Sequence, residues 1–155
     1  MKQTKTNKIA LVSILTALSV ALGYVVKIPT ATGILTFLDA GIFFTAFYFG
    51  RREGAIVGGL GGFLIDLISG YPHWMIFSLI FHGSQGYFAG FKGKWQWLGL
   101  ILASLVMVAG YAFATAWMKG WGQALADVPH NLVQNFAGML VGFLLCQSIS
   151  KIRKQ

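Results

Sequence analysis

Apolar residues come in six long runs along the chain, and the polar residues between them are few and clustered. The runs cover Ile9–Val26, about Leu35–Gly50, Gly54–Pro72, about His73–Phe91, Trp97–Met118, and Pro129 to near the end. Each approaches the roughly 20 apolar residues that carry a helix across a bilayer, which predicts six spans. Lys2, Lys5 and Lys8 give the first run the look of a secretory signal. It is longer than a usual signal core and no polar domain follows it, so it is read as span one. Lys27–Thr36, with Pro29, Gly33 and three threonines, suits an ordered loop. Arg51-Arg52-Glu53 is the whole turn between spans two and three, and Ser69-Gly70-Tyr71-Pro72 stops span three. Lys119–Val128 reads as a polar connection. Pro129 then opens span six, as proline does in a first helical turn.

Composition turns this pattern into a class. Hydrophobic residues make up 56% of the chain and charged residues 10%; a soluble domain is nearer a quarter charged. The 155 residues therefore form one membrane-embedded domain, 1–155. The net charge of +8 does not point to nucleic acid, because the basic residues sit at the ends of the apolar runs. Ten of them (Lys2, Lys5, Lys8, Arg51, Arg52, Lys92, Lys94, Lys151, Arg153 and Lys154) fall on one side of a six-span chain. Lys27 and Lys119 fall on the other. Since cytoplasmic loops carry the excess of Lys and Arg, both termini are expected in the cytoplasm. The predicted fold is an all-α membrane protein, a bundle of six transmembrane helices. Cys146 has no partner for a disulfide and reads as packing.

Gly54, Gly58 and Gly62 recur every fourth residue in span three, leaving one helix face bare for a neighbour's backbone. Asp66 is the one charge near the far end of that span, and an ionisable residue inside a membrane is by default a candidate for function. Ser13, Ala17 and Ala21 form a second small-residue stripe on span one, open to internal packing or to a partner helix. Asp39 begins span two, where it can either cap the helix or meet a ligand.

With this topology nearly all the polar residues lie toward the outer side. Asp39, Asp66, Trp74, Trp117, His130, Asn131, Gln134 and Asn135 cluster there, and His82 and Gln85 reach mid-membrane. Such asymmetry points to a pocket opening outward and closed below by apolar packing. A channel would need polar groups through its full depth. Asn and Gln offer donors and acceptors together, which suits a neutral heteroaromatic ligand. Trp74 and Trp117 fit either ligand stacking or the interfacial aromatic belt. No outer arginine is available to hold a carboxylate or phosphate.

The sequence carries no P-loop, no H-E-x-x-H and no G-x-S-x-G, and its three histidines are not at zinc-site spacing. No metal, cofactor or catalytic group is expected, and the chain reads as a binder. Two competing classes stand beside that reading. One is an assembly protein whose polar residues only join helices, and the other is an intramembrane enzyme.

Several features together resemble a known family. They are the L-D-A start of span two, the G-x-x-E-G hairpin from Gly50 to Gly54, and the third span ending D-L-I-S-G-Y-P. The H-G-x-Q-G of His82–Gly86 and the H-N-L-V-Q-N of His130–Asn135 belong with them. The chain is similar to the substrate-binding S components of energy-coupling factor (ECF) vitamin transporters, closest to those assigned to hydroxymethylpyrimidine or pyridoxine. The resemblance implies vitamin capture from outside a bacterial cytoplasmic membrane, together with a transmembrane scaffold and two cytoplasmic ATPases. An S component for another vitamin, such as riboflavin, is the alternative. The resemblance also assigns Ala17 and Ala21 to scaffold docking and gives weight to His82, Trp117, Asn131 and Gln134 in the pocket. It moves Asp66 toward a structural part, capping a loop or pairing with a helix end.

Overall fold

The computed structural model describes residues 5–152; Lys2, Arg153 and Lys154 of the charge count lie outside them, and for Lys5 only the backbone is described. Among the described residues six α-helices form: α1 (Lys5–Val25), α2 (Leu38–Tyr48), α3 (Arg51–Ser69), α4 (Met75–Ala89), α5 (Gln96–Lys119) and α6 (Trp121–Ile152). Two short strands, β1 (Lys27–Pro29) and β2 (Ile34–Thr36), lie between α1 and α2. They pair antiparallel, Lys27 with Thr36 and Pro29 with Ile34, so the expected loop is a small β-hairpin. The hairpin, the α3–α4 turn and the α5–α6 corner share one end of the bundle. Arg51, Arg52, Lys92 and Lys94 mark the opposite, basic end.

Among the described residues three helices, Thr6–Val25, Gly93–Lys119 (α5 with its preceding turn) and Trp121–Ile152, are long and apolar enough to cross a membrane. α2 is not the 16-residue run expected from the sequence. Its 11 residues rise about 16 Å, against a hydrocarbon core of about 30 Å. It is the central helix, with Leu38, Ala40, Ile42, Phe43 and Ala46 fully buried. Burial within protein gives a short helix the cover that length would otherwise supply.

The connection and helix start expected around residues 119–129 are corrected by α6. The chain turns at Gly120, where φ is 89°, and the helix begins at Trp121, leaving Pro129 inside it. An interior proline costs about 3 kcal/mol. Burial of Ala124 and a hydrogen bond from Thr115 Oγ1 to Asp127 Oδ2 (3.3 Å) hold the preceding turns against α5 and offset that cost.

The glycine row does what its spacing predicts. A Cβ on Gly58 would collide with the His82 carbonyl, and one on Gly62 would sit 2.8 Å from the Ser78 carbonyl. α3 and α4 therefore touch backbone to backbone. Four residues beyond Gly62 the same face carries Asp66, and the facing row on α4 runs Gly86, His82, Ser78 and Trp74. The bare face ends in polar groups at the hairpin end.

On α1, Thr16, Ser19 and Gly23 face the bundle, whereas Ser13, Ala17 and Ala21 are exposed. The second small-residue stripe is not used for packing within this chain.

Candidate functional site

Under the hairpin lies a cavity of about 50 Å³. Its roof is the hairpin, with Thr30 and Thr32 from the turn and Thr36 from the end of β2, and its walls come from α3, α4, α5 and α6. Asp66, Trp74, His82, His130, Asn131 and Gln134, all expected from the sequence, line it. Tyr111, Thr115 and Asp127 line it too and were not expected. Their spacing held a signal. Tyr111 and Thr115 are four apart on α5, and Asp127 and Asn131 are four apart on α6, so each pair shares a face. Reading 119–128 as a connection hid the second pair.

Trp74 is buried and its indole N–H donates to the Thr32 carbonyl at 2.8 Å. Lys119 Nζ reaches the same carbonyl at 3.2 Å. The hairpin is thus tied to the start of α4 and the end of α5 through one oxygen. At its base the Thr36 N–H donates to Gln134 Oε1 at 2.8 Å. The Trp74 ring lies 5.5 Å from that of Tyr111, giving the cavity an aromatic wall. Trp117 stands apart: it is 80% exposed, packs on Phe77 and is not in the cavity wall.

Asp39, Gln85 and Asn135 form a fully buried layer next to this cavity. Asp39 does not cap α2, whose N-terminus has no side-chain cap. Its carboxylate instead accepts from Gln85 Nε2 (3.1 Å) and Gln134 Nε2 (3.4 Å), with His82 Nδ1 3.3 Å from Oδ1. Gln85 Nε2 also donates to Asn135 Oδ1 at 3.0 Å, and Asn135 Nδ2 donates to Ser104 Oγ at 2.8 Å. Two acceptors around Nε2 fix the Gln85 amide with Oε1 toward His82 Nδ1, 3.0 Å away. Nδ1 must then carry a proton, and Nε2 is left without a hydrogen bond to any described residue. The layer sets the His82 tautomer from below while the ring forms part of the cavity wall.

Asp66 contrasts with Asp39. The C-terminus of α3 is closed by backbone alone, with Gly70 at φ 84° and the Tyr71 N–H on the Asp66 carbonyl at 2.8 Å. Its side chain takes no part in that cap. The carboxylate lines the cavity with Ser78 in reach, and Oδ2 is buried without a hydrogen-bond partner. Among the described residues no cluster of His, Cys, Asp or Glu could hold a metal ion.

Apolar helices closed over a small polar cavity with an aromatic wall define a membrane-embedded ligand-binding component. Comparison with known proteins gives the family. Residues 3–151 match the family described as "ECF-type riboflavin transporter, S component". The "Thiamine precursor transporter HmpT" of Lactococcus lactis subsp. cremoris is 43% identical over 155 residues, covering 98% of this chain and 90% of that protein. An uncharacterized protein of Pyrococcus woesei is 36% identical over 123 residues, covering 76% of this chain and 82% of its own length. A solved structure titled "Structure and mechanism of the S component of a bacterial ECF transporter" superposes with a TM-score of 0.77. It is 21% identical, and the match covers 98% of this chain and all of that one, so it speaks for the fold. The chain belongs to the S components of ECF-type transporters, a family of transporter subunits rather than enzymes.

Proposed function

We propose that this S component captures a single-ring vitamin precursor, of the hydroxymethylpyrimidine or pyridoxine type, in the cavity beneath the hairpin. The observation that carries the reading is the cavity wall itself. Trp74 and Tyr111 offer a ring a face to stack on, and Asp66, His82, Asn131, Asp127 and the hairpin threonines surround it with polar groups. At about 50 Å³ the cavity is smaller than the roughly 150 Å³ that takes a benzene ring, so the hairpin roof has to yield even for a single ring. Tricyclic riboflavin is far larger. Two carboxylates and no Lys or Arg line the space, so it favours a ligand rich in N–H or O–H donors over an anionic one. The thiamine-precursor relative, at 43% identity, supports the same choice.

In this reading Asp39, Gln85 and Asn135 support the pocket without touching the ligand, and Trp117 belongs to the interfacial belt. The chain is one domain that crosses a bacterial cytoplasmic membrane six times with both termini inside, so the cavity opens outward. It delivers its ligand with a transmembrane scaffold and two ATPases. The exposed Ser13, Ala17 and Ala21 stripe is the surface for that scaffold.

Titration of the detergent-purified protein with hydroxymethylpyrimidine, pyridoxine, thiamine and riboflavin, followed by tryptophan fluorescence, tests the capture step. Saturable quenching by one of the single-ring compounds is expected. Saturation by riboflavin alone would replace the ligand, and no response from folded protein would sink the reading. For the stripe, Ala17→Trp is expected to leave ligand binding intact and abolish co-purification with the scaffold.

A further inference from the structure

Three carboxylates are buried at this end of the bundle: Asp39, Asp66 and Asp127. Asp39 accepts from Gln85 and Gln134 and lies beside His82, and Asp127 accepts from Thr115. Asp66 alone among them has an oxygen, Oδ2, that is buried without a partner. Its place on the helix makes that costlier. It sits in the last turn of α3, where the helix dipole is negative and no basic residue offsets it. A buried acceptor left unmade calls for an explanation. Capping does not supply one, since backbone groups close the helix. Packing does not either, since Asp66 stands in the cavity wall where the bare face of α3 ends.

We infer that Asp66 is the specificity residue of the site: its Oδ2 accepts an N–H from an exocyclic amino group on the ligand ring, selecting aminopyrimidines over rings of equal size that lack the amine. The inference rests on the capture reading above and sharpens it. Hydroxymethylpyrimidine, the pyrimidine half of thiamine, carries such an amine, and pyridoxine does not. A ring with a methyl group in the amine's place fills the same volume but leaves Oδ2 desolvated and unpaired. Hydrogen bonds to charged groups are worth roughly 10- to 100-fold in affinity. Sites built around a buried polar partner reject the analogue lacking it more strongly than apolar pockets reject a size change.

The test is a cycle of two proteins and two ligands, read by calorimetry. Wild type and Asp66→Ala are each titrated with hydroxymethylpyrimidine and with its isostere bearing methyl in place of the amine. Wild type is expected to prefer the amine by about 10- to 100-fold, and Asp66→Ala to bind both rings within about threefold. Equal binding of both rings by wild type would overturn the inference whether or not the variant folds. Equal loss of both rings in Asp66→Ala, with the wild-type preference retained, would overturn it too. If wild type bound neither ring, the capture reading would fail first. Binding of both rings by wild type without discrimination would leave capture standing and remove only the role of Asp66.

Discussion

Asp39 and Asp66 are both buried aspartates near the hairpin end of the bundle, yet the protein treats them oppositely. Around Asp39 each interaction is made within the chain: donors arrive from α4 and α6, and the carboxylate in turn orders Gln85 and the His82 tautomer. Around Asp66 the chain supplies no donor to Oδ2, an oxygen buried in the wall of a cavity. In the proposed reading the paired carboxylate is scaffold and the unpaired one receives the ligand. The two differ in what is packed around them, since either would look the same in a sequence of apolar helices.

The comparison can be broken by substitution. Asp39→Ala removes the acceptor for two buried amide donors and the carboxylate beside His82, and is expected to cost about 3–5 kcal/mol, seen as a large fall in the melting temperature of the ligand-free protein. Asp66→Ala removes an unpaired charge and should leave that temperature unchanged or raise it. Equal destabilisation by the two would erase the distinction. Gly58→Ala drives a Cβ into the His82 carbonyl and is expected to cost about 3 kcal/mol. It would also spread Asp66 from Ser78 and His82, so residual folded protein should bind ligand weakly. Trp74→Phe deletes one bond to the Thr32 carbonyl and is expected to cost about 1 kcal/mol. Its reading is faster hydrogen exchange in residues 27–36, with the rest of the chain unaffected. Trp117→Phe, at an exposed site away from the cavity, should move stability by less than about 0.5 kcal/mol and leave affinity unchanged. A large loss there would bring the outer aromatic belt back into the site.

Six helical segments were legible because long apolar runs leave a membrane chain little choice but helix. The hairpin was not, since strands of three residues give too short an alternation to read in KIPTATGILT. The start of α6 was misplaced because Gly120, Gly122 and Pro129 are local breakers, while the contacts that outweigh them come from α5. The polar residues of the site were visible as a set; their division into wall and support was not. Nothing in a sequence of apolar helices says that Asp39, Gln85 and Asn135 bond to one another. Trp74 and Trp117 could have been told apart. Trp74 falls in the every-fourth-residue row of Ser78 and His82, whereas Trp117, two residues past Thr115, points to the opposite side of α5.

The most direct test isolates the cavity's own tryptophan. With Trp95, Trp97, Trp117 and Trp121 replaced by phenylalanine, Trp74 is the one fluorophore of its kind left in the chain. Titration with hydroxymethylpyrimidine should then quench its emission saturably, with the same dissociation constant that calorimetry gives for the unaltered protein. Calorimetric binding with an unmoved Trp74 signal would place the ligand elsewhere and contradict the assignment of the cavity beneath the hairpin.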